Sequence, residues 1–260
     1  MRRVAAALAV LVGVAVGAPA AAALSTQSTQ SMPPSAQPVA PLPYAGPLFF
    51  PSVGGLAVAL HLPHFCSAAV LRSRTRDLVV TAAHCVYGTG PTIELAPGFH
   101  DGVAPYGVWS VRRLYVPSAW KAGQAPAADV AVLVMAPRGG RRIQDVVGSA
   151  AFGTPDPGRP VKVLGYPMGV GGRPVACTSS LFLTRGFPSI ACTGLPAGVS
   201  GGPWLQAGRI VGVTGGLDQG GCGDTTYSAP IASALPALVA RAESGARGDS
   251  APIGFLANAC

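Results

Sequence analysis

The chain has 260 residues, of which 49% are hydrophobic and only 11% charged, with 35 glycines and 26 prolines. That mix argues against a helical bundle and suits an all-β protein with many turns. The formal charge is +8, but no basic stripe interleaved with aromatics exists. Arg72 to Arg76 and Arg138 to Arg142 are the densest clusters, which argues against nucleic acid as a partner.

Taken in order, Arg2 and Arg3 precede an apolar run, Ala5 to Val16. Small residues follow, with cleavage expected after Ala20 or Ala23. This is the pattern of a secretory signal over residues 1–23. The run is short and rich in Ala and Gly for a membrane span. The mature protein is therefore expected to be exported, extracellular and free of the membrane. Residues 24–46 are rich in Ser, Thr, Gln and Pro and carry little apolar surface to order themselves, so a flexible leader or pro-segment is expected there.

Strands are expected at Leu48 to Phe50, Leu56 to Leu62 and Cys66 to Leu71. After a polar turn, the β-branched run Leu78 to Thr81 delivers the chain to Ala82-Ala83-His84-Cys85. Cys66 and Cys85 bracket this hairpin, and a bridge between them would fix where His84 points. The six cysteines (66, 85, 177, 192, 222 and 260) contain no Cys-x-x-Cys pair. An even count in an exported chain reads as disulfides, not as a zinc site. His61 and His64 have no carboxylate cluster beside them, so no metal is expected.

Short strands follow at Val108 to Val111 and Arg113 to Val116, then a loop over Trp120 to Pro126. Asp129 is a lone carboxylate at the mouth of the apolar strand Val130 to Val134. A buried unpaired carboxylate is costly, so it needs a partner. Asp101 and Asp145 lie in polar, turn-like contexts. Residues 136–158, rich in Gly, Pro and Arg, connect two halves.

Val161 to Pro167 restarts the strand pattern, and Gly169, Gly171 and Gly172 make a loop. Cys177 and Cys192 flank two strand-like runs around Arg185-Gly186, which suggests a second stapled hairpin. Next comes Gly198-Val199-Ser200-Gly201-Gly202-Pro203-Trp204. A serine among glycines can present its hydroxyl while neighbouring N–H groups point into one small space, as acyl transfer requires. Arg209 to Val213 is a strand, Asp218 to Gly223 a loop, Thr225 to Ile231 a last strand. Ala234 to Ala246 has helical spacing at Leu235, Leu238 and Val239.

Three motifs stand in the order His84, Asp129, Ser200. Thr81-Ala82-Ala83-His84-Cys85, Ala128-Asp129-Val130-Ala131 and Gly198-x-Ser200-Gly201-Gly202-Pro203 together resemble the trypsin/chymotrypsin-like serine proteases. Ala96 to Gly102, Pro105 to Trp109 and Ser200 to Leu205 look like secreted actinobacterial members near the glutamyl-endopeptidase (V8-like) branch. The resemblance covers roughly residues 47–240. It implies two antiparallel β-barrels, one over 47–145 and one over 146–260, the second followed by a short C-terminal helix and tail. It also implies acyl transfer in the cleft between the barrels, without cofactor or metal. Ser200 would attack a peptide carbonyl, His84 would carry the proton, and Asp129 would orient His84. The N–H groups of Gly198 and Ser200 would form the oxyanion hole, and Thr214-Gly215-Gly216 would pair with the substrate backbone. Polypeptides are the implied partners of a monomer.

Two departures from the family pattern bear on function. Val199 replaces the Asp that in trypsin-like enzymes pairs with a new N-terminal amine. No Asp lies near Gly194 and Leu195, and Val213 stands where glutamate-specific members carry His. Leu195, Val213 and Gly216 suggest a modest apolar specificity pocket. The second reading is a protease-fold protein that binds a partner without catalysis, for which Val199 is the one favouring feature. On proximity and resemblance Cys66 pairs with Cys85. For the rest, Cys177–Cys192 with Cys222–Cys260 is preferred over Cys192–Cys222 with Cys177–Cys260, the pattern of some bacterial relatives.

Overall fold

The computed structural model describes residues 32–50, 58, 62–90, 93–221 and 223–252. The expected signal, the first part of the leader, His61, Cys222, Cys260 and most of the strand expected at Leu56 to Leu62 lie outside the described residues.

Six strands close the first barrel: β2 (Ala45–Phe49), β3 (His64–Val70), β4 (Leu78–Thr81), β5 (Glu94–Leu95), β6 (Trp109–Tyr115) and β7 (Ala131–Met135), in the order β2-β3-β4-β7-β6-β5. All pairs are antiparallel. The two runs expected at Val108 to Val111 and Arg113 to Val116 are one strand, β6, with a register shift between Val111 and Arg113. β4 and β7 read as unbroken apolar runs because both their faces are buried. Side chains alternate across a strand. Accordingly Val79, Ala131, Leu133 and Met135 fill one core. Leu78, Val80, Val132 and Val134 face another, shared with Leu164, Tyr166, Ile210 and Val213 of the second half.

The second half has β8 (Pro160–Gly165), β9 (Val175–Ser180), β10 (Phe182–Thr184), β11 (Phe187–Ala191), β12 (Pro203–Gln206), β13 (Arg209–Val213) and β14 (Thr225–Tyr227). Its sheets run β1 (Gln37–Pro38)-β9-β8-β12-β13 and β10-β11-β14, joined by a bridge between Thr214 and Ser228. Val161, Val163, Leu181, Ile190, Trp204 and Val211 fill the core between them. The disulfides Cys66–Cys85 and Cys177–Cys192 are both formed, spanning 19 and 15 residues. The second bridge rules out the alternative pairing of Cys177 and Cys192.

The leading strand of that larger sheet, β1 (Gln37–Pro38), comes from the stretch expected to be a flexible leader. Ala36, Val39 and Leu42 pack against the cores, and the main chain supplies the rest of the order there. Ala36 N donates to Thr193 O (2.8 Å), Thr193 N to Pro34 O (2.9 Å) and Val39 N to Pro174 O (2.9 Å). Main-chain pairing along an open strand edge satisfies both partners whatever the side chains.

Three helices complete the described fold: α1 (Ser118–Gly123), α2 (Ile143–Val147) and α3 (Ile231–Glu243). α1 occupies part of the loop expected at Trp120 to Pro126, and α2 lies inside the expected connection. α3 begins three residues before the expected helix. Its Leu235, Leu238 and Ala242 pack into the core shared by the two halves.

Candidate active site

Strand register brings His84 and Asp129 together. β4 pairs with β7 so that Thr81 faces Ala131. His84 follows Thr81 in a 3₁₀ turn, Ala83–Cys85, and Asp129 ends the 3₁₀ turn Pro126–Ala128 just before β7. Two neighbouring strand ends thus carry the two side chains, and the Cys66–Cys85 bridge pins the histidine turn to β3.

Asp129 is 1% exposed and fully engaged. Its Oδ2 accepts from His84 Nδ1 at 2.8 Å and from Gly216 N at 2.8 Å; its Oδ1 accepts from His84 N at 2.9 Å. The partner demanded by a buried carboxylate is therefore His84. Burial alone pushes the carboxyl up; the charge and hydrogen bond of His84, with the Gly216 and His84 N–H donors, outweigh it and hold Asp129 below its ordinary value. Gly215 has no room for a side chain, since a Cβ would lie 2.8 Å from Asp129 Oδ2. The other candidate acids are on the surface: Asp101 pairs with Arg173 and Asp145 with Arg76.

Ser200 sits in the turn between β11 and β12. Each carbonyl from Ala197 to Ser200 has a donor. Ala197 O accepts from Met168 N (2.7 Å), Val199 O from Gly202 N (2.9 Å) and Ser200 O from Ser67 N (2.7 Å). Gly198 O accepts from Ser67 Oγ at 2.9 Å. Among the described residues, neither Gly198 N nor Ser200 N donates to the chain. Gly198 has φ +95°, and a Cβ there would collide with Met168 N. A Cβ at Gly201 would collide with Thr81 Oγ1 and Ser67 O. These two glycines are thus required by conformation and by close approach.

A cleft of about 650 Å³ has His84, Gly198, Ser200, Leu195 and Thr214 in its wall. Phe50, Phe65, Tyr87 and Met168 make one side apolar. Phe50 stacks on Phe65 with centroids 4.3 Å apart. No hydrogen bond joins Ser200 to His84 among the described residues; both line the same cleft. His84, Cys66 and Cys85 bring possible ligand atoms within 4.8 Å, but both sulfurs are spent in the disulfide.

The expected pocket needs one correction. Val213 is fully buried in the shared core and faces away from the cleft. Thr214, one residue on, lines the cleft instead. The expected pairing of Thr214-Gly215-Gly216 with a substrate strand is also altered. Thr214 N donates to Gly202 O and Gly215 N to Tyr227 O, while Gly216 N goes to Asp129. All three donors are committed inside the chain. Two contributors escaped the sequence reading: Ser67, a small polar residue inside a strand, and Gly216 as a donor to the acid.

A family model described as trypsin matches residues 50–238. Among solved structures, the fold is similar to protease Anisep from Arthrobacter nicotinovorans, with TM-score 0.64, 25% identity, and coverage of 79% of this chain and 99% of that one. It is similar to a thermostable serine protease AL20 from an extremophilic microorganism, with TM-score 0.64, 22% identity, and 78% and 97% coverage. A Glu endopeptidase in complex with MPD gives TM-score 0.60, 21% identity, and 81% and 97% coverage. A search of the curated proteins finds no match. With most of its length inside the family model and its closed barrel built as in these neighbours, the chain belongs to the trypsin family.

Proposed function

We propose that the chain is a secreted serine endopeptidase that cleaves polypeptides through His84, Asp129 and Ser200. The observation that carries this reading is the engagement of Asp129. Its carboxylate receives His84 Nδ1 at 2.8 Å, which leaves Nε2 as the basic nitrogen on the cleft side, where Ser200 also lies. Ser200 Oγ attacks the substrate carbonyl as its proton passes to His84 Nε2. The uncommitted N–H groups of Gly198 and Ser200 stabilise the oxyanion. The acyl-enzyme forms as His84 returns the proton to the leaving amine, and water then releases the acid.

Leu195, Thr214, Thr225 and Thr226 line the cleft, which suits a modest apolar side chain before the scissile bond. Formed disulfides fit an oxidising, extracellular setting, and no described helix is long and apolar enough to cross a membrane. The enzyme works as a monomer.

The test is a fluorophosphonate probe on the folded protein, with Ser200→Ala as control. Labelling of the wild type alone supports the reading. Equal labelling of both, or none of either in folded protein, transfers it to a binding protein on a protease fold.

A further inference from the structure

Ser67 belongs to β3, in the first barrel, yet its hydrogen bonds go to the nucleophile turn of the second half. It is 1% exposed. Its N donates to Ser200 O at 2.7 Å, and its O accepts from Thr81 Oγ1 at 2.8 Å. Its hydroxyl accepts from Tyr166 N at 2.7 Å and donates to Gly198 O at 2.9 Å. Tyr166 N occupies an acceptor site of the oxygen, so the single hydroxyl proton is directed to Gly198 O.

From this geometry we infer that Ser67 is a positioning residue for the oxyanion hole, resting on the function proposed above. Each peptide unit from 197 to 201 has one anchor on its carbonyl. Met168 N holds the first, Ser67 Oγ the second, Gly202 N the third and Ser67 N the fourth. The units bearing the Gly198 and Ser200 N–H groups flank the one held by the hydroxyl. A peptide unit that loses its carbonyl anchor turns more freely and carries its neighbours with it. Three of the four anchors are main-chain donors that no substitution removes, other than by proline. The Ser67 hydroxyl is the one side-chain anchor, and it reaches across from the other barrel. Water is excluded from Ser67, so nothing replaces the hydroxyl in its absence. Tyr166 N and Gly198 O would then both lack a partner.

The role is one of orientation: Ser67 lies behind the turn and never touches the reacting atoms. Its loss should therefore weaken transition-state binding more than substrate binding. The experiment compares Ser67→Ala, Ser67→Thr and Thr81→Val in steady-state cleavage of a peptide amide, with thermal midpoints and labelling rates by a fluorophosphonate. Thr81→Val removes the bond to the Ser67 carbonyl and leaves the turn's anchors in place. The expected result is a fall in kcat of roughly tenfold to a hundredfold for Ser67→Ala, less than loss of a whole oxyanion donor. KM stays within about twofold, labelling slows in parallel, and Ser67→Thr recovers most of the rate. Thr81→Val lowers the midpoint and leaves kcat near wild type.

An unchanged kcat in folded Ser67→Ala overturns the inference. So does an equal loss in Thr81→Val, or a Ser67→Ala chain that fails to fold while Thr81→Val folds, since each makes Ser67 a stability residue only. If instead Ser200→Ala cleaves as fast as wild type, the proposed function falls, a result separable from all of these.

Discussion

Gly165 and Val199 touch so closely that Gly165 has no room for a side chain. A Cβ on Gly165 would lie 2.7 Å from both Cα and Cβ of Val199. Val199 is 4% exposed, one residue before Ser200. The turn that carries Ser200 is thus seated on the end of β8 by close apolar contact. Gly165→Ala should push the turn off this seat. The expected outcome is about 1–3 kcal/mol of lost stability, the usual cost of overpacking, and a larger proportional loss of fluorophosphonate labelling. A thermal midpoint and a labelling rate on the same sample check both. Wild-type labelling would mean that the seat does not set the turn.

Asp129→Asn keeps the volume and removes the charge that, in the proposed mechanism, stabilises His84 as it takes a proton. An amide also offers a donor where the carboxylate offered an acceptor, which favours the wrong tautomer of the ring. In the archetypal triad this change costs on the order of 10⁴ in kcat. A loss of that order is expected here in peptide cleavage at neutral pH, with circular dichroism unchanged. A loss below about tenfold would place the orienting acid elsewhere.

His64 is a buried histidine apart from the proposed triad. Its ring lies among Phe49, Phe99 and Tyr166, and its Nε2 donates to Gly171 O at 3.1 Å. Burial lowers its pKa, and the bond to Gly171 opposes this in part. In the unfolded chain it titrates near 6.5. Between that value and its lower folded value the unfolded state binds more protons, so stability is lost as pH falls from about 6.5. His64→Gln keeps a donor for Gly171 O and cannot titrate. Thermal midpoints should fall more steeply on acidification in wild type than in His64→Gln. Parallel curves would refute the assignment.

Asp249 ties three elements together. It accepts from Arg241 of α3 twice at 3.0 Å, from Lys121 of α1 at 2.8 Å and from Val116 N, just after β6, at 3.0 Å. Burial raises its pKa, but the Arg241, Lys121 and Val116 donors and the Arg241 charge bring it down to about 2. Its stabilisation is complete above the unfolded carboxyl value near 3.9 and is lost as pH falls through about 2. Asp249→Asn should cost about 1 kcal/mol at neutral pH, since solvent screens the half-exposed Arg241 and Lys121. The gap from wild type should close near pH 2, measured by denaturant midpoints. A gap independent of pH would assign the effect to packing.

Much of this site was legible because its signals are local. A β-branched run ending at His84, a carboxylate before an apolar run and a serine among glycines each announce themselves within a few residues. Other features were hidden for identifiable reasons. Ile210, Val211, Gly212 and Val213 are all apolar or bare, so alternation gives no phase, and a slip of one residue exchanges the faces of a strand. The sequence therefore points Val213 at the cleft, whereas Thr214 lines it and Val213 lies in the shared core. Ser67 looks like any small residue in a strand; its role exists only once β3 meets a turn more than a hundred residues away. The second half of the expected leader gives little sign of its order in the sequence, because main-chain pairing leaves no side-chain pattern.

That pairing of β1 with β9 limits how the protein can be trimmed. Cleavage between β1 and β2 would release Gln37–Pro38 and bare a margin of β9, with N–H and C=O groups ready to recruit another extended chain. Pro38 and the brevity of β1 make it a poor template in its own right. It works as a selvedge on the sheet, finishing an edge that would otherwise fray into self-association.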